Sequence, residues 1–197
     1  MKVIFLDNDG VICLANNWGS RYKKQDKWGG MKLSMKGREI PLEYRFDNFD
    51  KKAIKILNEI LEETGAEIVV SSDWRFHATL EELGEYYTSQ GIIKKPIAVT
   101  DMFKDIFPRE WSMLRFRADI ELERSMEIGH WLDNHSEVTH WVVIDDLNMS
   151  VDFLGENFIA SNGSDDKAGL TNFVHTPRNS EGIKQCGIKE KIIKFLK

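Results

Sequence analysis

Three short apolar runs in this chain break off into groups that can do chemistry. Val3-Ile4-Phe5-Leu6 runs into Asp7-Asn8-Asp9-Gly10, Glu67-Ile68-Val69-Val70 into Ser71-Ser72-Asp73-Trp74-Arg75, and His140-Trp141-Val142-Val143-Ile144 into Asp145-Asp146. Asp7 and Asp9 stand two apart, so an extended backbone points both carboxylates the same way. If the strand ends at Asp7, Asp9 lies instead on a turn that Gly10 favours. Carboxylates held close repel and shift each other's titration unless something positive lies between them. A hard divalent cation such as Mg2+ meets that need, since it takes oxygen ligands and keeps its other positions for water and substrate phosphate. Together with the cation Arg124, the set suits phosphoryl transfer. One carboxylate attacks phosphorus, a second carries the proton of the leaving group and then of water, and a third helps hold the metal. A hydroxyl from Ser71 or Ser72 and a guanidinium from Arg124 or Arg75 bind the transferring oxygens. The plainer alternative for each cluster is a strand end followed by a polar turn, and for Arg75 a surface salt bridge.

These groups need strands to carry them, and the pattern between them supplies the frame. Four apolar residues bounded by Asp and Gly suit a parallel strand covered on both faces. Ile54, Leu57, Ile60 and Leu61 then follow helical spacing, with Asp50 as cap and Gly65 as stop. Strand, helix, strand implies a right-handed crossover, so the polar clusters gather at the carboxyl ends of parallel strands, where open α/β sheets bind ligands. Leu80, Leu83 and Tyr87 mark a helix closing near Gly91, and Ile97 to Thr100 is a candidate third strand. Ile120 to Asn134 reads as a helix with Ile128, Trp131 and Leu132 inward, Asn172 to Thr176 as a short strand, and Ile188 to Leu196 as an amphipathic closing helix. Residues 101–120, with Phe103, Phe107, Trp111, Leu114 and Phe116 around Pro108, show no assignable period; they cover the site or pack beneath it.

Residues 14–45 stand apart. Arg21, Lys23, Lys24, Lys27, Lys32, Lys36, Arg38 and Arg45 face only Asp26, Glu39 and Glu43, in a chain whose formal net charge is -5. Trp18, Tyr22 and Trp28 are interleaved with these cations. Such a stretch either stacks bases while neutralising phosphates or forms a solvated, partly hairpin-like flap whose aromatics pack on the domain. In both cases it contributes little core, and its place directly after the first strand lets it overhang Asp7 and Asp9. The net charge gives no whole-molecule attraction to phosphate backbones, so any nucleic-acid contact is local.

The remaining bulk features exclude several classes. At 197 residues, 42% hydrophobic and 30% charged, the chain has globular proportions and fits one domain with an elaboration. Cys13 and Cys186 have neither metal-like spacing nor the makings of a disulfide framework, and His130, His135 and His140, spaced by five, do not share a helix face. The run after Lys2 is too short for a signal peptide and no segment approaches membrane-spanning length, so a cytoplasmic protein is expected.

The constellation resembles the haloacid dehalogenase (HAD) superfamily. Asp7-Asn8-Asp9-Gly10-Val11 resembles its first motif, Ser71 ends a run resembling its second, and Asp145-Asp146 resembles its acidic fourth. The resemblance implies a Rossmann-like, three-layer α/β fold with helices on both faces of a parallel sheet, as a single domain over residues 1–197 with a small cap at 14–45. It implies Asp7 as the nucleophile forming an aspartyl-phosphate and Asp9 as the general acid/base. Mg2+ would be held by Asp7, the backbone carbonyl of Asp9 and Asp145, with Asp146 close by or acting through water. The superfamily commonly has Lys in its third motif. Here Arg124, in Arg124-Ser-Met-Glu-Ile-Gly-His-Trp-Leu132, takes that place, and Lys104 and Arg117 are substitutes. This helix and the stretch Ser71 to Arg75 are similar to the subgroup associated with Swiss Army Knife RNA-repair polypeptides. A Mg2+-dependent phosphomonoester hydrolase is therefore expected, acting on phosphorylated RNA or DNA ends. The alternatives are a small-molecule or nucleotide phosphatase and a non-catalytic phospho-ligand-binding module.

Overall fold

The computed structural model describes residues 1–27, 37–106, 120–149 and 172–197. Five parallel strands carry the fold: β1 (Lys2–Leu6), β2 (Glu67–Val70), β3 (Ala98–Val99), β4 (His140–Asp145) and β5 (Phe173–His175), in the spatial order β3-β2-β1-β4-β5. The chain builds outward from β1 to β3 and then crosses back to lay β4 on the other side of β1. The order of strands therefore reverses between β1 and β4, and a crevice opens there at the carboxyl edge.

Helices cover both faces, as the uninterrupted apolar runs require. Ile4 and Leu6 of β1, with Ile68, Val70, Val142 and Ile144, pack against α3 (Lys51–Thr64), α4 (Leu80–Gln90) and α7 (Ile188–Leu196). Val3 and Phe5, with Val69 and Val143, pack instead against Ile128 and Trp131 of α6 (Ile120–Asp133). Val3, Ile4, Phe5 and Leu6 are all fully buried. A strand apolar on both faces is what a three-layer α/β sandwich needs at its centre.

The helix boundaries follow local chemistry. Asp50 caps α3 by accepting from the N–H groups of Lys52 and Ala53, and Gly65 ends it in the left-handed region at φ 69°. Thr79 and Glu82 form a reciprocal capping box at the start of α4. Leu132, expected inward on α6, is only half-buried, whereas Ile128 and Trp131 are buried.

Residues 14–45 depart from expectation. Among their described residues there is no strand; α1 (Ser20–Lys27) and α2 (Leu42–Arg45) are present instead. Nor is the stretch excluded from the core, since Leu14, Gln25 and Arg45 are buried. Asp47 supplies the reason for α1. Its carboxylate accepts from the N–H of Gly19 at 3.1 Å and of Arg21 at 2.7 Å, satisfying amides that a polar octapeptide could not satisfy itself. Two of the flap cations are consumed internally. Lys24 donates to the Phe46 carbonyl at 2.7 Å and to Asn48 Oδ1 at 3.1 Å, and Arg45 donates to the carbonyls of Ile40 and His77 and pairs with Glu82 at 3.0 Å. Trp28, Lys32 and Lys36 lie outside the described residues, as do Arg117 and the apolar positions between 107 and 119.

Cys13 is a buried free thiol and Cys186 an exposed one. Among the described residues, no helix is long and apolar enough to cross a membrane.

Candidate active site

Parallel pairing in register sets the site. Leu6 is level with Val70 on one side and Ile144 on the other. The ladder runs one residue further: Asp7 donates its N–H to the Ile144 carbonyl at 3.1 Å, and Ser71 donates to the Leu6 carbonyl at 3.0 Å. Ser71, Asp7 and Asp145 therefore stand side by side on the carboxyl edge. Carboxylate oxygens of Asp7, Asp145 and Asp146 all lie within 4.8 Å of one another. Asp145 is fully buried, Asp7 is 4% exposed and Asp146 is half-buried.

The turn after β1 is built around Asn8. Its carbonyl accepts from the N–H groups of Val11, Ile12 and Cys13, at 2.8 Å for the last, and its side-chain oxygen accepts from the Tyr87 hydroxyl at 2.6 Å. Gly10 sits at φ 72°, and a Cβ there would fall 2.2 Å from Asp146 Oδ2. Gly10→Ala is accordingly expected to destabilise the protein by about 2–4 kcal/mol, from left-handed strain plus displacement of Asp146. A thermal melt checks this, and a variant as stable as the parent would refute it.

Asp9 turns elsewhere. Its Oδ2 accepts from the Trp74 indole N–H at 2.8 Å, so its carboxylate is not one of the three that converge. Trp74 is held flat between Phe46, with centroids 4.4 Å apart, and Phe49 at 5.2 Å. Burial raises the pKa of Asp9 above the usual carboxylate range, offset in part by the bonds from Trp74 and the Cys13 thiol. Burial likewise raises Asp7, with Asp145 adding to the effect and Arg124 opposing it.

Arg124 is the cation among these carboxylates. From α6 its Nη1 reaches Asp7 Oδ1 at 3.2 Å and Asp145 Oδ2 at 3.0 Å, while Nη2 reaches Asp73 Oδ1 at 2.9 Å. Burial works against its charge, and Asp7 and Asp145 more than reverse that, so its pKa is raised.

A family model describing the HAD domain in Swiss Army Knife RNA repair proteins matches residues 3–173, well over half of the chain. The chain belongs to that family. Comparison with curated proteins and with solved structures returned no match. Membership points to phosphatase-type hydrolysis, and the acidic crevice of this HAD domain has the oxygen donors for it.

The other expected contributors to the HAD site fall in different places. Ser71 and Ser72 are fully buried with hydroxyls that have no hydrogen-bond partner among the described residues, a state that buried polar atoms seldom keep without a ligand or water. Arg75 forms a buried ion pair with Glu127, which also accepts the Phe103 N–H at 2.8 Å; Arg75 Nε and Nη1 have no partner among the described residues. Asp73 and Arg75 from the turn after β2 thus meet Arg124 and Glu127, three apart on one face of α6. Two ion pairs hold that turn against the helix. Lys104 is exposed on α5 (Phe103–Ile106).

Sequence reasoning missed Glu127, Asp47 and two threonines. Thr100 and Thr176 follow β3 and β5, donate backbone N–H groups to the carbonyls of Val70 and Asp145, and keep buried hydroxyls without partners among the described residues. Each is a hydroxyl at a strand end, the same signal that marked Ser71, but single and next to a very short strand.

Proposed function

We propose that this HAD domain is a Mg2+-dependent phosphomonoester hydrolase acting through an aspartyl-phosphate on Asp7, with phosphorylated nucleic-acid ends as its substrates. The observation that carries the proposal is the convergence of Asp7, Asp145 and Asp146 within 4.8 Å, beside Arg124, at the switch between β1 and β4.

The residues fit a hard cation. Three carboxylates crowd together, and burial with the charge of Asp145 pushes the Asp146 pKa up to about 6, so the single charge of Arg124 leaves the cluster short of positive charge. Asp7, Asp145 and the backbone carbonyl of Asp9 would hold Mg2+, with Asp146 beside them. When bound, the ion supplies charge that offsets repulsion between an anionic nucleophile and an anionic phosphate.

The protein groups then divide the work. An Asp7 oxygen attacks phosphorus as the bond to the leaving oxygen breaks, and that oxygen takes a proton from Asp9. Water next attacks phosphorus, gives its proton back to Asp9, and the bond to Asp7 breaks to release inorganic phosphate. The raised pKa of Asp9 suits the first step, because burial keeps its proton available nearer neutrality. Ser71, Ser72 and Arg124 are the donors for the transferring oxygens. Arg75, already paired with Glu127, holds the turn that carries the two serines.

Support for the substrate class comes from the RNA repair proteins that the family describes and from residues 14–45, where Lys23 and Lys27 are exposed. As part of a single domain, that stretch serves as a small cap. Turnover of an aryl phosphate with Mg2+ and with EDTA tests the chemistry, and 3′- and 5′-phosphorylated oligonucleotides against mononucleotides test the substrate. Absence of turnover on every phosphomonoester would refute the proposal.

Proton linkage adds a check. The Asp146 carboxyl, whose folded pKa of about 6 lies above the ordinary aspartate value of 3.8, binds more protons folded than unfolded between those values. The metal-free protein therefore loses stability as pH rises through that window. Mg2+ is expected to raise the melting temperature more at pH 7.5 than at pH 5, where Asp146 keeps its proton and competes. An equal shift at both values would contradict this.

A further inference from the structure

We propose that Trp18, Arg21 and Tyr22 form a stacking ledge that receives the nucleobase adjoining the phosphate delivered to Asp7. The assignment deepens the phosphatase reading of the crevice and rests on it. Trp18 is 47% exposed and Tyr22 56% exposed. The Trp18 indole N–H donates to the Cys13 carbonyl at 3.1 Å, and Cys13 is bridged backbone to backbone with Asp9, so two links join this ring to the residue that carries the proton. The edge of the indole is pinned by that bond, and the residue as a whole remains 47% exposed.

Arg21 backs the second aromatic. Its guanidinium lies over the Tyr22 ring, 5.0 Å from the centroid, and donates to the Tyr22 hydroxyl at 3.3 Å. Its charge also lies in the field of Asp47 and Asp9. The platform beneath is fixed: Asp47 holds the first turn of α1, the Ser20 hydroxyl accepts the Asn48 N–H at 2.8 Å, and Lys24 ties the helix to Phe46 and Asn48. Exposed aromatics on an anchored helix are pre-organised at little entropic cost. A nucleobase suits them, since every base has a face to stack on an indole, a phenol or a guanidinium, while Arg21 and the exposed Lys23 offer charge to adjoining phosphates.

The test is fluorescence anisotropy with short single-stranded RNA bearing a 5′- or 3′-terminal phosphate, set against the same strands with an abasic terminal nucleotide. Tyr22→Ala is expected to weaken binding of the base-bearing strand by about tenfold or more and to erase the preference over the abasic strand. Tyr22→Phe keeps the ring and retains binding; Arg21→Met weakens it and flattens its salt dependence. Thermal melts of each variant confirm that the fold is intact. Equal affinity of the wild type for base-bearing and abasic strands, or unchanged binding by Tyr22→Ala, would overturn the ledge. Wild-type turnover of an aryl phosphate separates the two ideas. Its absence would end the phosphatase reading while anisotropy still judges the ledge, and its presence with base-indifferent binding would end the ledge alone.

Discussion

Asp7→Asn is expected to lower kcat on any phosphomonoester by more than about 10⁴-fold, the scale on which covalent catalysis fails when its nucleophile is removed. Asn matches Asp in shape, so the crevice keeps its form. What disappears is a charged oxygen able to bond phosphorus. Stability should change little, because two effects oppose. The variant loses the 3.2 Å pair with Arg124, yet it relieves a carboxylate whose pKa is raised by burial and by Asp145. Arg124 keeps Asp145 and Asp73 as partners. A net effect within about 1 kcal/mol corresponds to a melting temperature within about 2–4 °C of the parent. A rapid-quench experiment provides the second readout: the wild type should trap a phosphoryl group on the protein and the variant should not. Full activity in Asp7→Asn would remove the proposed nucleophile and the mechanism with it.

Arg124→Ala should be the most destabilising single change at the site. It strips the shared cation from Asp7 and Asp145, both buried, and from the more exposed Asp73. Removing one partner from a buried charge cluster costs about 3–5 kcal/mol, because the charges left behind are uncompensated. The melting temperature should fall by about 10 °C or more. The sign of the pH dependence follows from the two carboxylates. Both have folded pKa values raised first by burial, and Arg124 opposes the rise in each. Without it they rise further, so the folded variant binds more protons than the unfolded chain over a wider range. Its deficit against the wild type should accordingly be smaller at pH 5 than at pH 8. Arg124→Lys keeps a charge but cannot span three carboxylates with a planar fork, so it should retain most of the stability and lose part of the rate. An Arg124→Ala protein as stable as its parent at pH 8 would show that the guanidinium does not neutralise the cluster.

Much of this molecule was legible along the chain because the relevant physics is local. An apolar tetrapeptide ending in Asp or Ser announces a buried strand and its polar tip, and Asp50 and Gly65 bound α3 through groups within a few residues of each helix end. Once Val3 to Leu6, Glu67 to Val70 and His140 to Ile144 are taken as parallel strands, residues 7, 71 and 145 fall at one edge, since a sheet in register aligns equivalent ends.

The side-chain partnerships were decided by tertiary structure alone. Trp74 meets Asp9 across 65 positions and Arg75 meets Glu127 across 52, and only the packing of α6 on Val3 and Phe5 brings that helix over the turn. The helix α1 was hidden for the same reason. Its octapeptide is polar and contains no capping carboxylate of its own, and Asp47, more than twenty residues on, satisfies its first amides. Backbone pattern travels with the sequence, whereas the destination of a charge depends on which faces the core has already committed to burial.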